Sequence, residues 1–115
     1  MSRILVFIGV LLATTVQAQT QGREENIWGY VTGLELKARC EFNVQFCNGY
    51  IASANDTISG LAQVKITSSL CIPQTSKLEQ VVLVVKKYLD DNPDKLHFNG
   101  ATLVLLAISA AFPCR

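Results

Sequence analysis

Residues 71–93 read CIPQTSKLEQVVLVVKKYLDDNP, and this stretch decides the fold. Its apolar side chains recur at intervals of three and four residues, the spacing of one face of an α-helix. Ser76 and Glu79 match a capping box and predict where the helix begins. Asn92 precedes a proline and predicts its end, because a residue before proline avoids the helical region. The apolar positions are Leu78, Val81, Val82, Val85 and Leu89.

Two helices are predicted upstream of this one. Residues 32–35, Thr-Gly-Leu-Glu, match a second capping box and predict a short helix over residues 33–40. Apolar residues between positions 44 and 58 also follow helical spacing, which we prefer to the hairpin that Asn48-Gly49 would otherwise indicate. Gly60 predicts the end of that second helix.

The C-terminal segment predicts a fourth helix. Asn92, Pro93 and Asp94 supply a cap residue, a proline at the first helical position and an acid in the first turn, so we predict that the helix starts there. Residues 103–112 are apolar on nearly every side, which predicts a central helix covered by the others. Pro113 ends it. The expected fold is therefore all-α, a small disulfide-stapled bundle of about four helices.

The four cysteines predict how the bundle is fastened. Cys40 and Cys47 stand seven residues apart, which is about 10.5 Å along one continuous helix. A disulfide needs Cα atoms within about 7 Å, so this pair requires a helix break near residues 41–43. Short connections make neighbouring helices antiparallel, which would bring Cys114 to Cys71. We favour these two pairings, and the other two connectivities remain possible.

The N-terminus predicts export. One basic residue, an apolar run and Val16-Gln17-Ala18 form the pattern of a secretory signal, so we predict a cleaved signal peptide over residues 1–18 and one mature domain over residues 19–115. The apolar run is too short for a bilayer span of about 20 residues. An even cysteine count behind such a leader is typical of an oxidising compartment. Trp28 and Tyr30 are predicted to pack the start of the mature chain against the bundle.

Charge and chemistry exclude several functions. Ten basic and nine acidic residues leave the chain nearly neutral, without the basic surface of a nucleic-acid binder. A bridged cysteine cannot act as a thiolate nucleophile, and His97 has no recognisable nucleophile or orienting partner. The cysteine spacing matches no common zinc pattern. We therefore predict that the protein is not an enzyme and carries no metal or other cofactor.

One charged cluster is a candidate contact surface. Asp90, Asp91 and Asp94 surround the turn between the last two helices, beside Lys87 and Lys95. The simpler interpretation is a solvated helix end with weak ion pairs. The functional interpretation is a polar contact surface for a partner protein, and these five residues are the candidate partner-binding set.

Short motifs occur in a fixed order along the chain: CNGYI at 47–51, CIP at 71–73, KYL at 87–89 and AFPC at 111–114. In this order they resemble the Rap/Tai immunity family, small periplasmic proteins associated with type VI secretion amidase effectors. The resemblance covers about residues 32–114. It implies a helical, disulfide-bonded, periplasmic protein, often a homodimer, that binds over the catalytic cleft of a peptidoglycan amidase and blocks it.

The sequence departs from the family's usual residues at Ser53 and at residues 74–76, which bears on the effector that is bound. An alternative is a small periplasmic stress or acid-activated chaperone, which would expose apolar surface when its carboxylates are protonated. A third interpretation is a secreted enzyme or lipid-binding module whose fourth helix lines a pocket.

Overall fold

A computed structural model describes residues 29–115, which form a bundle of helices. No strand occurs within residues 29–115 apart from an isolated antiparallel bridge between Thr32 and Asn99, so the all-α prediction is confirmed. None of the helices in this range is both long enough and apolar enough to cross a membrane. The helices are α1 (Gly33–Phe42), α2 (Val44–Gln63), α3 (Leu78–Asp91) and α4 (Gly100–Ala111), with a 3-10 turn at Pro93–Lys95.

The start of the described chain is fastened by its backbone. The N–H of Gly100 donates to the carbonyl of Val31 at 2.8 Å. The Tyr30 side chain is fully exposed, so its predicted packing against the bundle is wrong, because backbone pairing fixes this segment without the ring. The predicted signal peptide over residues 1–18 and the predicted packing of Trp28 lie outside the described residues.

Asn43 alone separates α1 from α2 and serves both helices. Its backbone N–H donates to the carbonyl of Arg39 at 2.7 Å and closes α1, while its Oδ1 accepts from the N–H of Phe46 at 2.9 Å and caps α2. The break brings the Cα atoms of Cys40 and Cys47 to 4.7 Å, and the two residues form a disulfide. The predicted break and the predicted pairing are both confirmed.

The predicted cap of α1 is half confirmed. Thr32 Oγ1 accepts from the N–H of Glu35 at 3.2 Å, as a capping residue should. The Glu35 carboxylate accepts instead from the Arg39 guanidinium at 2.6 Å. An arginine one turn along the helix competes for that carboxylate, so the reciprocal half of the predicted capping box does not form.

Helix α2 runs past its predicted end. Gly60 lies inside the helix, since a glycine there costs only about 1 kcal/mol relative to alanine. The helix ends in a Schellman motif: the N–H of Ile66 donates to the carbonyl of Leu61 at 2.9 Å, and the N–H of Lys65 donates to that of Ala62 at 3.0 Å. Lys65 has a φ of 62°, the left-handed conformation that favours glycine.

Helix α3 begins one residue later than predicted. Lys77 rather than Ser76 precedes its first turn, and Oε1 of Gln80 accepts from the Lys77 backbone N–H at 2.9 Å. Gln80 therefore takes the role predicted for Glu79. The shift arises because Ser76 belongs to a preceding turn, in which its N–H donates to the carbonyl of Pro73 at 2.9 Å.

The fourth helix also begins later than predicted. Pro93–Lys95 forms only a 3-10 turn after α3, which ends at Asp91 with Asn92 as its C-cap. Helix α4 starts at Gly100, and the side chain of Asn99 caps its first turn. The predicted end of α3 is confirmed, but the prediction that α4 starts at Asn92 is wrong.

Backbone pairing with the start of α1 explains this difference. The N–H groups of Gly33 and Leu34 donate to the carbonyls of Phe98 and Leu96 at 2.8 and 2.9 Å. A continuous helix through residues 93–100 would orient those carbonyls along its own axis. The non-local pairing and the predicted helix therefore exclude each other, and the pairing also ties α1 to α4.

The core takes one face from each helix. Helix α4 contacts α1, α2 and α3, as expected of a central helix, but residues 109–111 in its last turn are exposed. The prediction that α4 is covered on nearly every side is wrong for this last turn, because the other helices pack against only one face of α4. Of the predicted α3 stripe, Leu78 is 38 % exposed and the other four residues are buried. The largest fully buried residues are Leu36, Ile51, Val85, Leu89, Leu103, Val104 and Ile108.

The second disulfide joins the segment before α3 to the end of α4. The Cα atoms of Cys71 and Cys114 lie 5.2 Å apart, which confirms the predicted pairing. The exposed end of α4 is therefore held covalently where apolar packing does not cover it.

Opening the two disulfides is expected to cost unequal stability, because a bridge that closes a longer loop constrains the unfolded chain more. Cys71–Cys114 spans 43 residues and Cys40–Cys47 spans 7. Replacing the first pair by alanine should lower the free energy of unfolding by about 4 kcal/mol, and replacing the second pair by about 2.5 kcal/mol. Urea unfolding of both variants and the parent measures this. A larger loss for the short loop would contradict the expectation.

Lys65→Gly should stabilise the protein. The left-handed conformation destabilises a residue that has a side chain by about 1–2 kcal/mol, and glycine removes this strain. Glycine also loses more backbone freedom on folding, which lowers the free energy of unfolding by about 0.5–1 kcal/mol. We expect a net gain of about 0.5–1 kcal/mol in the same unfolding measurement. Lys65→Ala is the matched control and should give no gain, because alanine keeps the Cβ. Equal gains in both variants would show that the backbone conformation is not the cause.

Candidate functional site

The charged residues predicted as a contact surface surround the last turn of α3. Lys87 and Asp91 pair with each other one turn apart, and Asp90 pairs with Lys37 of α1 at 3.5 Å. The hydrogen bond that Lys87 donates to the Asp91 carboxylate, together with the charge of that carboxylate, raises the pKa of Lys87. The side chains of Lys87, Asp90 and Asp91 lie largely in solvent, and that of Lys37 is 34 % exposed. Water and salt therefore screen both pairs, and each adds little to stability. The fold therefore depends little on these two ion pairs, and the charged cluster is available for contact with a partner.

Lys95 and Asp94 complete this cluster on the 3-10 turn. Nζ of Lys95 lies 5.7 Å from the centroid of the Tyr88 ring and 3.3 Å from its hydroxyl oxygen. Nδ2 of Asn92 donates to the Tyr88 carbonyl at 2.8 Å, which holds the turn against α3. Asp94 is exposed. The structure thus gathers the predicted residues around one turn, and their role in binding a partner stays a prediction.

A ladder of side chains crosses from α1 to α2 next to the helix break. Glu35 pairs with Arg39 at 2.6 Å, and the guanidinium carbon of Arg39 lies 4.6 Å from the centroid of the Phe46 ring. Phe46 in turn stacks on Tyr50 with ring centroids 5.8 Å apart. Cation–π and aromatic contacts of this kind each contribute about 0.5–1.5 kcal/mol. The ladder fixes the angle between the two helices on the surface side of the disulfide.

Tyr50, the last residue of this ladder, lines a groove between α2 and α4. A Cβ at Gly100 would stand 2.9 Å from the Tyr50 hydroxyl oxygen and 3.2 Å from the Val31 carbonyl oxygen, so the glycine allows this close approach. Burial raises the pKa of Tyr50, and the Glu35 charge adds to this, while a hydrogen bond with the Ala101 backbone opposes it. The groove is mainly apolar, has a volume of about 350 Å³, and is lined by Tyr50, Ser53, Ala54, Thr57, Ile58, Ala101, Thr102 and Leu105.

A second groove lies between α2 and the segment that precedes α3. Its volume is about 450 Å³, and its lining includes Asn55, Asp56, Ile72 and Pro73. Oδ1 of Asn55 is buried and accepts no hydrogen bond from the described residues. The first groove contains hydroxyl groups but no carboxylate or histidine, whereas Asp56 shares the lining of the second groove with two serines. The Asp56 carboxylate accepts a hydrogen bond from Nδ2 of Asn55 and from neither of these serines.

The side chains that could act in catalysis or bind a metal are either held in disulfides or lie apart from one another within residues 29–115. All four cysteines are in disulfides, so none supplies a thiolate. His97 is exposed, and its ring meets the edge of Phe98 with centroids 4.5 Å apart. Across residues 29–115, no three His, Cys, Asp or Glu side chains gather as metal ligands.

Sequence reasoning missed an apolar surface at the junction of α1 and α2. Leu34 is 62 % exposed and Phe42 is 87 % exposed, and Val44 just after the break is 65 % exposed. These residues look like ordinary core positions in the sequence. The spacing of Leu34, Ala38 and Phe42, in steps of four, was the available signal, but only the direction in which α1 faces the core shows that this side points outward.

Comparison with known protein families bears on this arrangement. The model of the Rap1a immunity proteins matches residues 32–114, from the cap of α1 to the last cysteine. The matched range therefore includes all four helices and both disulfides. Comparisons with curated proteins and with solved structures found no match.

Tyr50 should make stability depend on alkaline pH. The pKa of Tyr50 is higher in the folded protein than in the unfolded chain. Its contribution to the free energy of unfolding is therefore fully present below the unfolded pKa of about 10 and is lost as the pH rises through the folded pKa. We expect the melting temperature of Tyr50→Phe to fall less steeply than that of the parent between about pH 9 and 11. Parallel slopes for the two proteins would show that the Tyr50 hydroxyl does not contribute.

Proposed function

We propose that this chain, which belongs to the Rap1a immunity protein family, binds and blocks a secreted effector. In this proposal the effector is a peptidoglycan amidase delivered by a type VI secretion system, and the immunity protein carries out no reaction of its own. The observation that carries the proposal is the family match, because it spans the whole described bundle from the α1 cap to Cys114.

The construction of the bundle suits an inhibitor. A protein that blocks a cleft needs a surface that keeps its shape, because ordering a mobile segment on binding reduces affinity. Two disulfides close the α1–α2 junction and the end of α4, and the side-chain ladder supports the first of these. A stable interface of about 800 Å² on each partner is within reach of a domain of this size.

The disulfides also support the proposed compartment. Structural disulfides persist in oxidising compartments such as the bacterial periplasm, and the sequence of residues 1–18 has the pattern of an export signal. Peptidoglycan lies in that compartment, so an inhibitor of its hydrolysis is needed there. Export and oxidation would then be steps in producing the active inhibitor.

The charged cluster around the end of α3 is a candidate rim for the interface. Exposed charges at the edge of an interface steer association and set its salt dependence more than they raise affinity. In this proposal Lys87, Asp90, Asp91, Asp94 and Lys95 act in that way. All of them except Asp94 pair with each other or with neighbours, which helps to preserve the cluster's shape in the free protein.

The proposal expects a peptidoglycan amidase to be encoded beside the gene for this chain, and that amidase is used to test it. The amidase is directed to the periplasm of a test bacterium that expresses either the full chain or a chain that lacks residues 2–18. We expect the full chain to prevent lysis and the leaderless chain to give no protection. Purified oxidised protein should abolish peptidoglycan hydrolysis at a one-to-one ratio. Lysis despite the exported chain, together with unchanged hydrolysis in vitro, would disprove the proposed function.

A further inference from the structure

Helix α1 is apolar on two opposite sides. Its inner side places Leu36 and Cys40 in the core, where they are 0 % and 4 % exposed. The opposite side carries Leu34, Ala38 and Phe42, all of them exposed and separated by steps of four residues. A helix on the surface of a bundle ordinarily turns polar side chains to water, so this outer side needs an explanation. We call these three residues together with Val44 the α1 outer face.

The outer face is mounted rigidly. Phe42 and Val44 flank the single-residue break at Asn43, whose backbone and side chain close one helix and cap the next. The Cys40–Cys47 disulfide spans the same break. Because these groups already have fixed backbone positions, little backbone entropy would be lost when they enter a partner. Contiguous apolar side chains exposed in this way mark a contact site more often than isolated ones do.

The charged side chains beside the outer face are paired with one exception. On one flank Glu35 pairs with Arg39 at 2.6 Å, and on the other Lys37 pairs with Asp90 at 3.5 Å. Glu41 is exposed beside Phe42 and takes part in no ion pair among residues 29–115. The outer face therefore combines an apolar stripe with one carboxylate that a partner's cation can approach.

We infer that the α1 outer face docks into an apolar groove on the effector, with a basic side chain of the effector opposite Glu41. This inference rests on the proposed function and assigns its contact surface. Amphipathic helices bind grooves through anchors at this spacing. The Lys37–Asp90 pair places the charged cluster at the flank of α1, which gives the arrangement of an apolar centre and a polar rim found in protein interfaces.

Two other occupants fit the face less well. A second copy related by two-fold symmetry would present the same surface to itself, which brings the Glu41 carboxylates of both copies to one interface. An anionic membrane would repel Glu41. A groove that offers a cation satisfies both the apolar stripe and the carboxylate.

The experiment compares Phe42→Ala and Glu41→Lys with a matched control, Leu83→Ala. Leu83 lies on α3 and is 65 % exposed, so it tests whether loss of any exposed apolar side chain has the same effect. The probe is the amidase that the proposed function expects beside the gene for this chain, and calorimetry measures its dissociation constant from each variant. Phe42→Ala and Glu41→Lys should each weaken binding about 10- to 100-fold, as truncation of interface anchors does. Leu83→Ala should stay within about twofold of the parent. All three variants should melt within a few degrees of the parent, because none of these side chains lies in the core.

The outcomes separate the inference from the proposed function. If the parent binds the amidase and Phe42→Ala binds equally well, the inference is overturned while the proposed function stands. If the parent does not bind the amidase, the proposed function fails and the inference fails with it. Sedimentation and vesicles of phosphatidylglycerol test the rival occupants. A parent dimer that Phe42→Ala dissociates, or vesicle binding that it abolishes, with amidase binding unchanged, would assign the face to a second copy or to lipid instead.

Discussion

The break at Asn43, closed by the Cys40–Cys47 disulfide, is the constraint on which the rest of the structure depends. If α1 continued directly into α2, the two would form one long helix with a single buried side. The break turns α1 so that Leu36 enters the core formed by the other helices while Leu34 and Phe42 face outward. One capping residue, Asn43, and one disulfide thus determine both the packing of the bundle and the surface that it presents.

The two ends of the bundle are stabilised by different means. At one end, backbone pairing between residues 33–34 and 96–98 ties the start of α1 to the start of α4. At the other end, Cys71–Cys114 holds a turn of α4 that apolar packing does not cover. A domain this small buries limited apolar surface, so covalent closure replaces packing where the helices no longer meet. The exposed surface is then free to serve recognition rather than folding.

The sequence predicted the features that local chemistry determines. The Thr32 cap, the α3 stripe and the end of α3 before Pro93 all follow from interactions within a few residues, and the structure contains them. The start of α4 was mispredicted because its competitor lies more than 60 residues away, at Gly33 and Leu34. The end of α2 was mispredicted because Lys65 adopts a conformation that its residue type does not announce. The candidate site was the least predictable part, since an outward apolar residue and a core residue have the same side chain.

The motifs that carry the family resemblance do not include the residues of the α1 outer face. The recognisable motifs contain the cysteines, the turns and core positions, which preserve the bundle. Ser53 lines the groove beside Tyr50, and Gln74 and Ser76 line the groove beside Asn55. Changes at these positions alter a surface without disturbing the core. Because function resides in sites carried by a fold, this disulfide-closed frame can be kept while the side chains on its outside change.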